Sequence, residues 1–158
     1  MVALARRKDR LVELAKTVSE ATGKIYPYQA DVTKEDDIIN AFKWTIENVG
    51  PIHYLINNAG VSRYYPKFVE GKTQQFEDIL NTNVLGLAIA ARQAIRIMQE
   101  HNIDGHIINV SSILGHRVVN IPGSDVYTAS KHAVTALTES LRLELVRNKS
   151  KIKISVKK

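Results

Sequence analysis

Tyr127 and Lys131 stand four residues apart in "SDVYTASKHAVTALTESLR", the stretch from Ser124 to Arg142. The stretch has a helical pattern, and one helical turn places both side chains on the same face. An ammonium beside a phenol favours the phenolate. A tyrosine tuned in this way can give a proton to, or take one from, a carbinol or carbonyl oxygen. The spacing is common among helices, and alone it reads as surface packing. Upstream, "INVSSILG" sets Ser111 and Ser112 directly after an apolar strand. In a parallel sheet the carboxyl ends of the strands face the ligand crevice. One serine there can cap the turn while the other bonds a substrate oxygen; Ser111 is taken as the cap and Ser112 as the functional hydroxyl.

Other polar residues also sit at strand ends. "LINNAG" ends a strand at Asn57 and Asn58, whose amides can bond backbone groups. Ala59 and Gly60 carry little or no side chain, so a flat ligand could approach the main chain there; a tight turn explains the stretch equally well. Asn83 in "NTNVLG" is a poor helix former inside a helical pattern. It either bends the helix and binds water or is a tolerated polar residue. Asp31 in "QADV" can accept from an adenine amino group or cap the next helix. Arg6 and Arg7 in "ALARRK" follow a strand, where an arginine suits a ribose 2′-phosphate and an acid suits the free hydroxyl. No acid comes before Asp9, and an ordinary charged turn is the alternative.

The elements that must position these residues alternate between strand and helix. "VALA" (2–5) is a short strand. Leu11, Leu14, Ala15, Val18 and Ala21 form a helical stripe stopped by Gly23. "KIYPYQAD" reads as a strand, placed at an edge by Pro27. A helix capped by Thr33 then buries Ile38, Phe42, Ile46 and Val49 before Gly50. "IHYLI" reads as a buried strand. Residues 73–100 form one long helix, "HIINV" (106–110) a strand, and 127–148 a helix. "KISV" starts a last strand. This alternation predicts an α/β fold with a parallel sheet covered on both faces.

Bulk properties agree with that fold. The chain has 158 residues, 44% of them apolar and 24% charged. One domain is expected. No stretch is long and apolar enough for a membrane span. The opening residues, basic and without a following apolar run, do not read as a secretion signal. The absence of cysteine excludes disulfides, a cysteine metal site and a thiol nucleophile, and fits a cytoplasmic setting; no metal site is predicted. The net charge of +6 is spread rather than gathered on one face, against nucleic-acid binding.

The order and spacing of these motifs carry more than any one of them. Asp31-Val32, N-N-A-G at 57–60, "NTNVLG", "INVSS" and Y-x-A-S-K at 127–131 together resemble the short-chain dehydrogenase/reductase family in its single-domain branch. The resemblance covers nearly the whole chain. In "VALARRKDRL" and "YTASKHAVTALTESLRLEL" it is most similar to an insect farnesol-dehydrogenase-like and reductase-member-11-like group. The resemblance implies a doubly wound, Rossmann-like sheet in three layers. It also implies an oxidoreductase moving a hydride between NADP(H) and an apolar alcohol, ketone or aldehyde. Tyr127 would be the acid/base. Lys131 would favour its phenolate and bind the nicotinamide ribose. Ser112 would hold the substrate oxygen, and Asn83 would position a relay water reaching Lys131. Asp31 and Val32 would meet the adenine. Asn58, Ala59 and Gly60 would border the cofactor, Asn58 also tying strands together. Arg6 and Arg7 would contact the 2′-phosphate. The segment 113–121 with Tyr64 and Tyr65 would line an apolar substrate. A homo-oligomer is expected through the 73–100 and 127–148 helices, using Leu87, Ala90, Ala94, Leu137, Leu141 and Leu145, unless these serve the intrachain core. The family's T-G-x-x-x-G-x-G turn is not found. Residues 1–158 are therefore expected to be a partial dinucleotide-binding domain, from the second strand to the start of the sixth, inactive and unstable by itself. The central missing strand would lie between "VALA" and "IHYLI". A fold that binds dinucleotide without catalysis is the alternative function.

Overall fold

The structure, a computed structural model, describes residues 1–20 and 22–158; Ala21 of the expected first helical stripe lies outside them. Five strands alternate with helices: β1 (Val2–Ala5), α1 (Lys8–Thr17), β2 (Tyr26–Gln29), α2 (Glu35–Asn48), β3 (Tyr54–Asn57), α3 (Thr73–Leu80), α4 (Leu87–Glu100), β4 (His106–Val110), α5 (Asp125–Arg147) and β5 (Lys153–Lys157). All described pairings are parallel, as the intervening helices require. β1 pairs with β2, with Ala5 opposite Gln29. In a separate sheet β4 lies between β3 and β5, and Asn57 stands opposite Asn109. Within each sheet the strands run the same way, so the carboxyl ends of β1 and β2 lead to Arg6 and Asp31, and those of β3 and β4 to Asn58 and Ser111.

The core is built by period. α2 contributes Ile38 and Phe42, α4 contributes Ile89, Ala90, Ala94, Ile97 and Met98, and the sheet contributes Ile107 and Ile154. Leu145 closes the cluster from α5. Leu87, Ala90, Ala94 and Leu145 are therefore buried within the chain, and Leu141 packs against the same cluster. Burial of these apolar side chains, at about 1.5–3 kcal/mol each, is the main force holding α4 and α5 on the sheet. Among the residues expected at an interface these serve the intrachain core instead. Leu80 and Leu85, in the stretch before α4, and Leu143 and Val146 of α5 are the large apolar residues of the 73–100 and 127–148 segments that remain exposed.

Several local expectations are corrected. α2 is capped by Lys34, without a side-chain bond, not by Thr33. The Thr33 hydroxyl donates to the Asp31 carboxylate at 2.8 Å instead, and this side-chain turn occupies the residue before the helix can begin. Leu14 is exposed within α1, whose buried residue is Leu11, and Val49 is exposed because it lies past the last turn of α2. β3 is not buried throughout: Tyr54 and Ile56 alternate outward. The helix expected over 73–100 is interrupted, because Asn81–Gly86 is a π-helical segment. Asn81, Thr82 and Asn83 are weak α-formers, and Gly86 lets this segment lie against the Val32 backbone. A Cβ on Gly86 would collide with the Val32 carbonyl oxygen. The Gly86→Ala variant is accordingly expected to lose about 1–3 kcal/mol of stability; a melting temperature equal to that of the parent would show that the segment can move aside.

Candidate active site

β4 carries the first part of the site. Its inward residues Ile107 and Asn109 are fully buried. The carbonyl of its last residue, Val110, accepts from Lys131 Nζ at 3.0 Å. Ser111 then turns inward: its backbone N–H donates to the Lys157 carbonyl at 2.7 Å, and its buried hydroxyl donates to the Lys131 carbonyl at 3.1 Å. Ser112 begins a short turn over Ile113–Gly115, and its Oγ accepts from the Leu114 N–H at 3.2 Å. The expected roles are thus exchanged in part, for Ser112 is the cap and Ser111 packs against α5. An accepting hydroxyl still holds its own proton to donate, so Ser112 retains the capacity to bond a substrate oxygen. Gly115 allows this turn to press on α5, since a Cβ there would lie 2.7 Å from the Lys131 carbonyl oxygen.

α5 brings Tyr127 and Lys131. Its start is held by Tyr65, only 2% exposed, whose hydroxyl accepts from the Val126 N–H at 3.2 Å. Tyr65 also packs edge-on against Phe76, with centroids 5.4 Å apart. It therefore belongs to the scaffold and not to the substrate side, where only Tyr64 of this pair is exposed. Lys131 Nζ lies 5.7 Å from the Tyr127 ring centroid, within cation–π range. Lys131 is 5% exposed, and burial pushes its amine below the usual lysine range because a charged form loses hydration there.

Asn83 and the loop after β3 complete the cluster. Asn83 Oδ1 accepts from the Val61 N–H at 2.8 Å, and Nδ2 donates to the Val61 carbonyl at 2.9 Å. Nδ2 also donates to Ser130 Oγ at 3.0 Å, and Ser130 Oγ donates to the Tyr127 carbonyl at 2.7 Å. One amide thereby ties the loop following Gly60 to the turn carrying Tyr127. A Cβ on Gly60 would lie 3.5 Å from Asn83 Oδ1 and 3.6 Å from Lys131 Nζ, so Gly60, Asn83 and Lys131 converge. Asn58, Ala59 and Gly60 are exposed beside them. The strand tie expected of Asn58 is made by Asn57, whose Nδ2 donates to Asn109 Oδ1 at 2.9 Å. Asn58 follows the last strand residue, so its side chain falls beyond the ladder.

The remaining expected residues follow β1 and β2. Asp31 Oδ1 accepts from the Thr33 N–H at 3.0 Å and from its hydroxyl. Partial burial opposes the charge of Asp31. The two Thr33 bonds, with Arg6 and Lys34 nearby, outweigh it and hold the carboxyl below the usual range. Val32 packs against the core cluster. Arg6 is exposed, its carbonyl accepting from Gln29 Nε2 at 3.1 Å, and Arg7 is the exposed residue preceding α1. Neither guanidinium is bonded to the Tyr127 cluster. Ser130, Gly115 and Asn109 were not foreseen, although the matched asparagines ending "LIN" and inside "IINV" are visible once those strands are paired.

Comparison with known proteins completes the assignment. The profile of the family described as short chain dehydrogenase matches residues 1–157. The chain is 39% identical over 156 residues to the farnesol dehydrogenase of Aedes aegypti, spanning 98% of this chain and 64% of that protein. It is 40% identical to human dehydrogenase/reductase SDR family member 11, over 92% of this chain and 56% of the relative. The chain thus spans less than two thirds of the length of these relatives. Among solved structures, a short-chain dehydrogenase/reductase from Burkholderia phymatum in complex with NAD superposes with a TM-score of 0.90 at 28% identity, covering 98% of this chain and 54% of that one. ElxO with NADP bound superposes at 0.84 and 31% identity, covering 97% and 60%. No described helix is long and apolar enough to cross a membrane. With parallel strands and flanking helices in a Rossmann-like α/β fold, and with a matching profile over nearly all its residues, the chain belongs to the short-chain dehydrogenase/reductase family.

Proposed function

We propose that the protein is an NADP-dependent dehydrogenase or carbonyl reductase acting on an apolar alcohol, ketone or aldehyde. The observation that carries this reading is the buried Lys131 amine, seated on the Val110 carbonyl between Gly60, Asn83 and the Tyr127 ring. The donor set fits a nicotinamide dinucleotide. Lys131 has three N–H donors beside the exposed Gly60 backbone, Asp31 is held ionised, and two exposed guanidiniums end β1. The dinucleotide, when bound, supplies or takes the hydride. Tyr127 gives its phenol proton to the carbonyl oxygen in reduction and takes it back in oxidation. Ser112 donates a hydrogen bond from its hydroxyl to the same oxygen and keeps its proton. Lys131 as ammonium favours the Tyr127 phenolate and donates to the ribose. Asn83 holds the Gly60–Val61 loop against α5, and we assign to it the water through which Lys131 exchanges protons. Asp31 and Val32 take the adenine, Asn58, Ala59 and Gly60 border the cofactor, and Arg6 with Arg7 takes the 2′-phosphate.

Exposed Ile113, Val118 and Ile121 with Tyr64 support an apolar substrate, as does the name of the Aedes relative. A homo-oligomer through the 73–100 and 127–148 segments belongs to the same reading, with Leu80, Leu85, Leu143 and Val146 exposed there. So does the cytoplasmic setting expected from the cysteine-free sequence. The test is turnover of the whole protein with each nicotinamide cofactor against farnesol, retinol, a steroid and small polar alcohols. An apolar substrate with NADP is expected; preference for a sugar overturns the substrate class. Arg6→Ala is expected to cut selectivity for NADP over NAD by about 10- to 100-fold, the worth of a charge-assisted contact. Unchanged selectivity removes Arg6 from phosphate binding.

A further inference from the structure

A chain of buried hydrogen bonds runs beneath the site, touching neither Tyr127 nor Lys131. Asn57 Nδ2 donates to Asn109 Oδ1 at 2.9 Å and lies 3.4 Å from the Leu87 carbonyl. Asn109 Nδ2 donates to Thr138 Oγ1 at 3.0 Å, and Thr138 Oγ1 donates to the Val134 carbonyl at 2.7 Å. Asn109 is 0% exposed and Thr138 5%. The chain links α4, β3, β4 and α5 through the side chains of Asn57, Asn109 and Thr138, ending on the Leu87 and Val134 carbonyls.

We propose that Asn109 and Thr138 are positioning residues that set the register of α5 on β4, and through it the place of Lys131 and Tyr127. This rests on the reading of those two residues as the reacting pair. Apart from the Lys131–Val110 and Ser111–Lys131 bonds near its start, the remaining contact between α5 and the sheet is apolar, through Leu141, Leu145, Ile107 and Ile154, and such burial has no directional preference. A hydrogen bond falls off steeply with misalignment, so the Asn109–Thr138 bond admits one axial setting. Thr138 lies seven residues after Lys131 and eleven after Tyr127, close to two and three helical turns, so all three share the sheet-facing side. Asn109 adjoins Val110, whose carbonyl seats the Lys131 amine. A slip of α5 at Thr138 is therefore carried directly to the Lys131 seat.

Thr138→Val in the whole protein keeps the shape and removes the hydroxyl. It is expected to lower kcat about 10- to 100-fold, the scale of a misplacement near 1 Å, with KM nearly unchanged. The pH limb that reports the deprotonated tyrosine moves to higher pH, and Lys131 reacts faster with an amine-directed acylating reagent. Thr138→Ser keeps the hydroxyl and should match the parent in all these readouts. A Thr138→Val protein that melts earlier but retains the parent's kcat, pH limb and acylation rate overturns the proposal, as does equal loss in both variants. Should Thr138→Val not fold, Thr138→Ala against Thr138→Ser makes the same comparison. If the parent protein turns over no alcohol or carbonyl compound, the functional reading fails, while the acylation rate of Lys131 still decides whether Thr138 sets its seat.

Discussion

Tyr127→Phe is expected to lower kcat by about 10²- to 10⁴-fold, the usual worth of a positioned acid/base, while the fold survives. The substitution removes one oxygen from a half-buried ring and leaves that ring over Lys131. The turn carrying it is held by main-chain and neighbouring groups that the change does not touch: Ser130 bonds the Tyr127 carbonyl, and Tyr65 holds the Val126 N–H. Circular dichroism and the melting temperature should match the parent while the rate collapses. Because the proton is handled in the transition state, kcat should fall with little change in KM. Turnover within a fewfold of the parent would remove Tyr127 from the chemistry.

The second large effect combines loss of activity with a gain in stability. Lys131→Met should abolish most turnover, by about 10²-fold or more, yet raise the melting temperature at neutral pH. Lys131 is buried against a neutral carbonyl and takes part in none of the described ion pairs, so its charged form loses hydration without an opposite charge to compensate. Burial lowers its folded pKa. Between that lowered value and the ordinary lysine range, the unfolded chain holds a proton that the folded chain has shed. Stability therefore rises with pH through this window, and below it the full cost of burying the ammonium is present. Methionine removes that cost, for an expected gain of about 0.5–2 kcal/mol at neutral pH. The gain should shrink as the pH rises toward the usual lysine range. Thermal melts of both proteins across that range check the sign; a variant less stable than its parent at every pH would make Lys131 a structural residue.

The site was more legible than the packing around it. Tyr127, Lys131 and Ser112 could be placed because they follow predictable elements: an amphipathic helix and the end of an apolar strand. Lys131 is where the periodicity gives the least guidance, since a lysine on a helix is ordinarily solvated and only the surrounding fold shows it seated on Val110. The sequence leaves Asn83 either bending the helix and binding water or simply tolerated there. Its bonds to Val61 and Ser130 span sequence separations of 22 and 47 residues, which no local pattern reports. Ser111 and Ser112 were exchanged in part for the same reason. The hydroxyl that caps a turn and the one that meets α5 differ only in the direction the chain takes after β4.

What the sequence determined by itself was local: the order of strands and helices, the residues at strand ends, and the Tyr127–Lys131 spacing. These follow from side-chain period, turn-forming residues and chain connectivity, which act over a few positions. Tertiary structure decided which polar groups are buried and whom they bond. It placed Asn57 rather than Asn58 in the strand tie, Tyr65 in the scaffold rather than the pocket, and Leu87, Ala90, Ala94 and Leu145 in the core. Burial and hydrogen-bond partners arise where distant segments meet. There a single residue's offset along a strand or helix reverses the face it presents, and the energy of the whole contact, not the local pattern, selects the outcome.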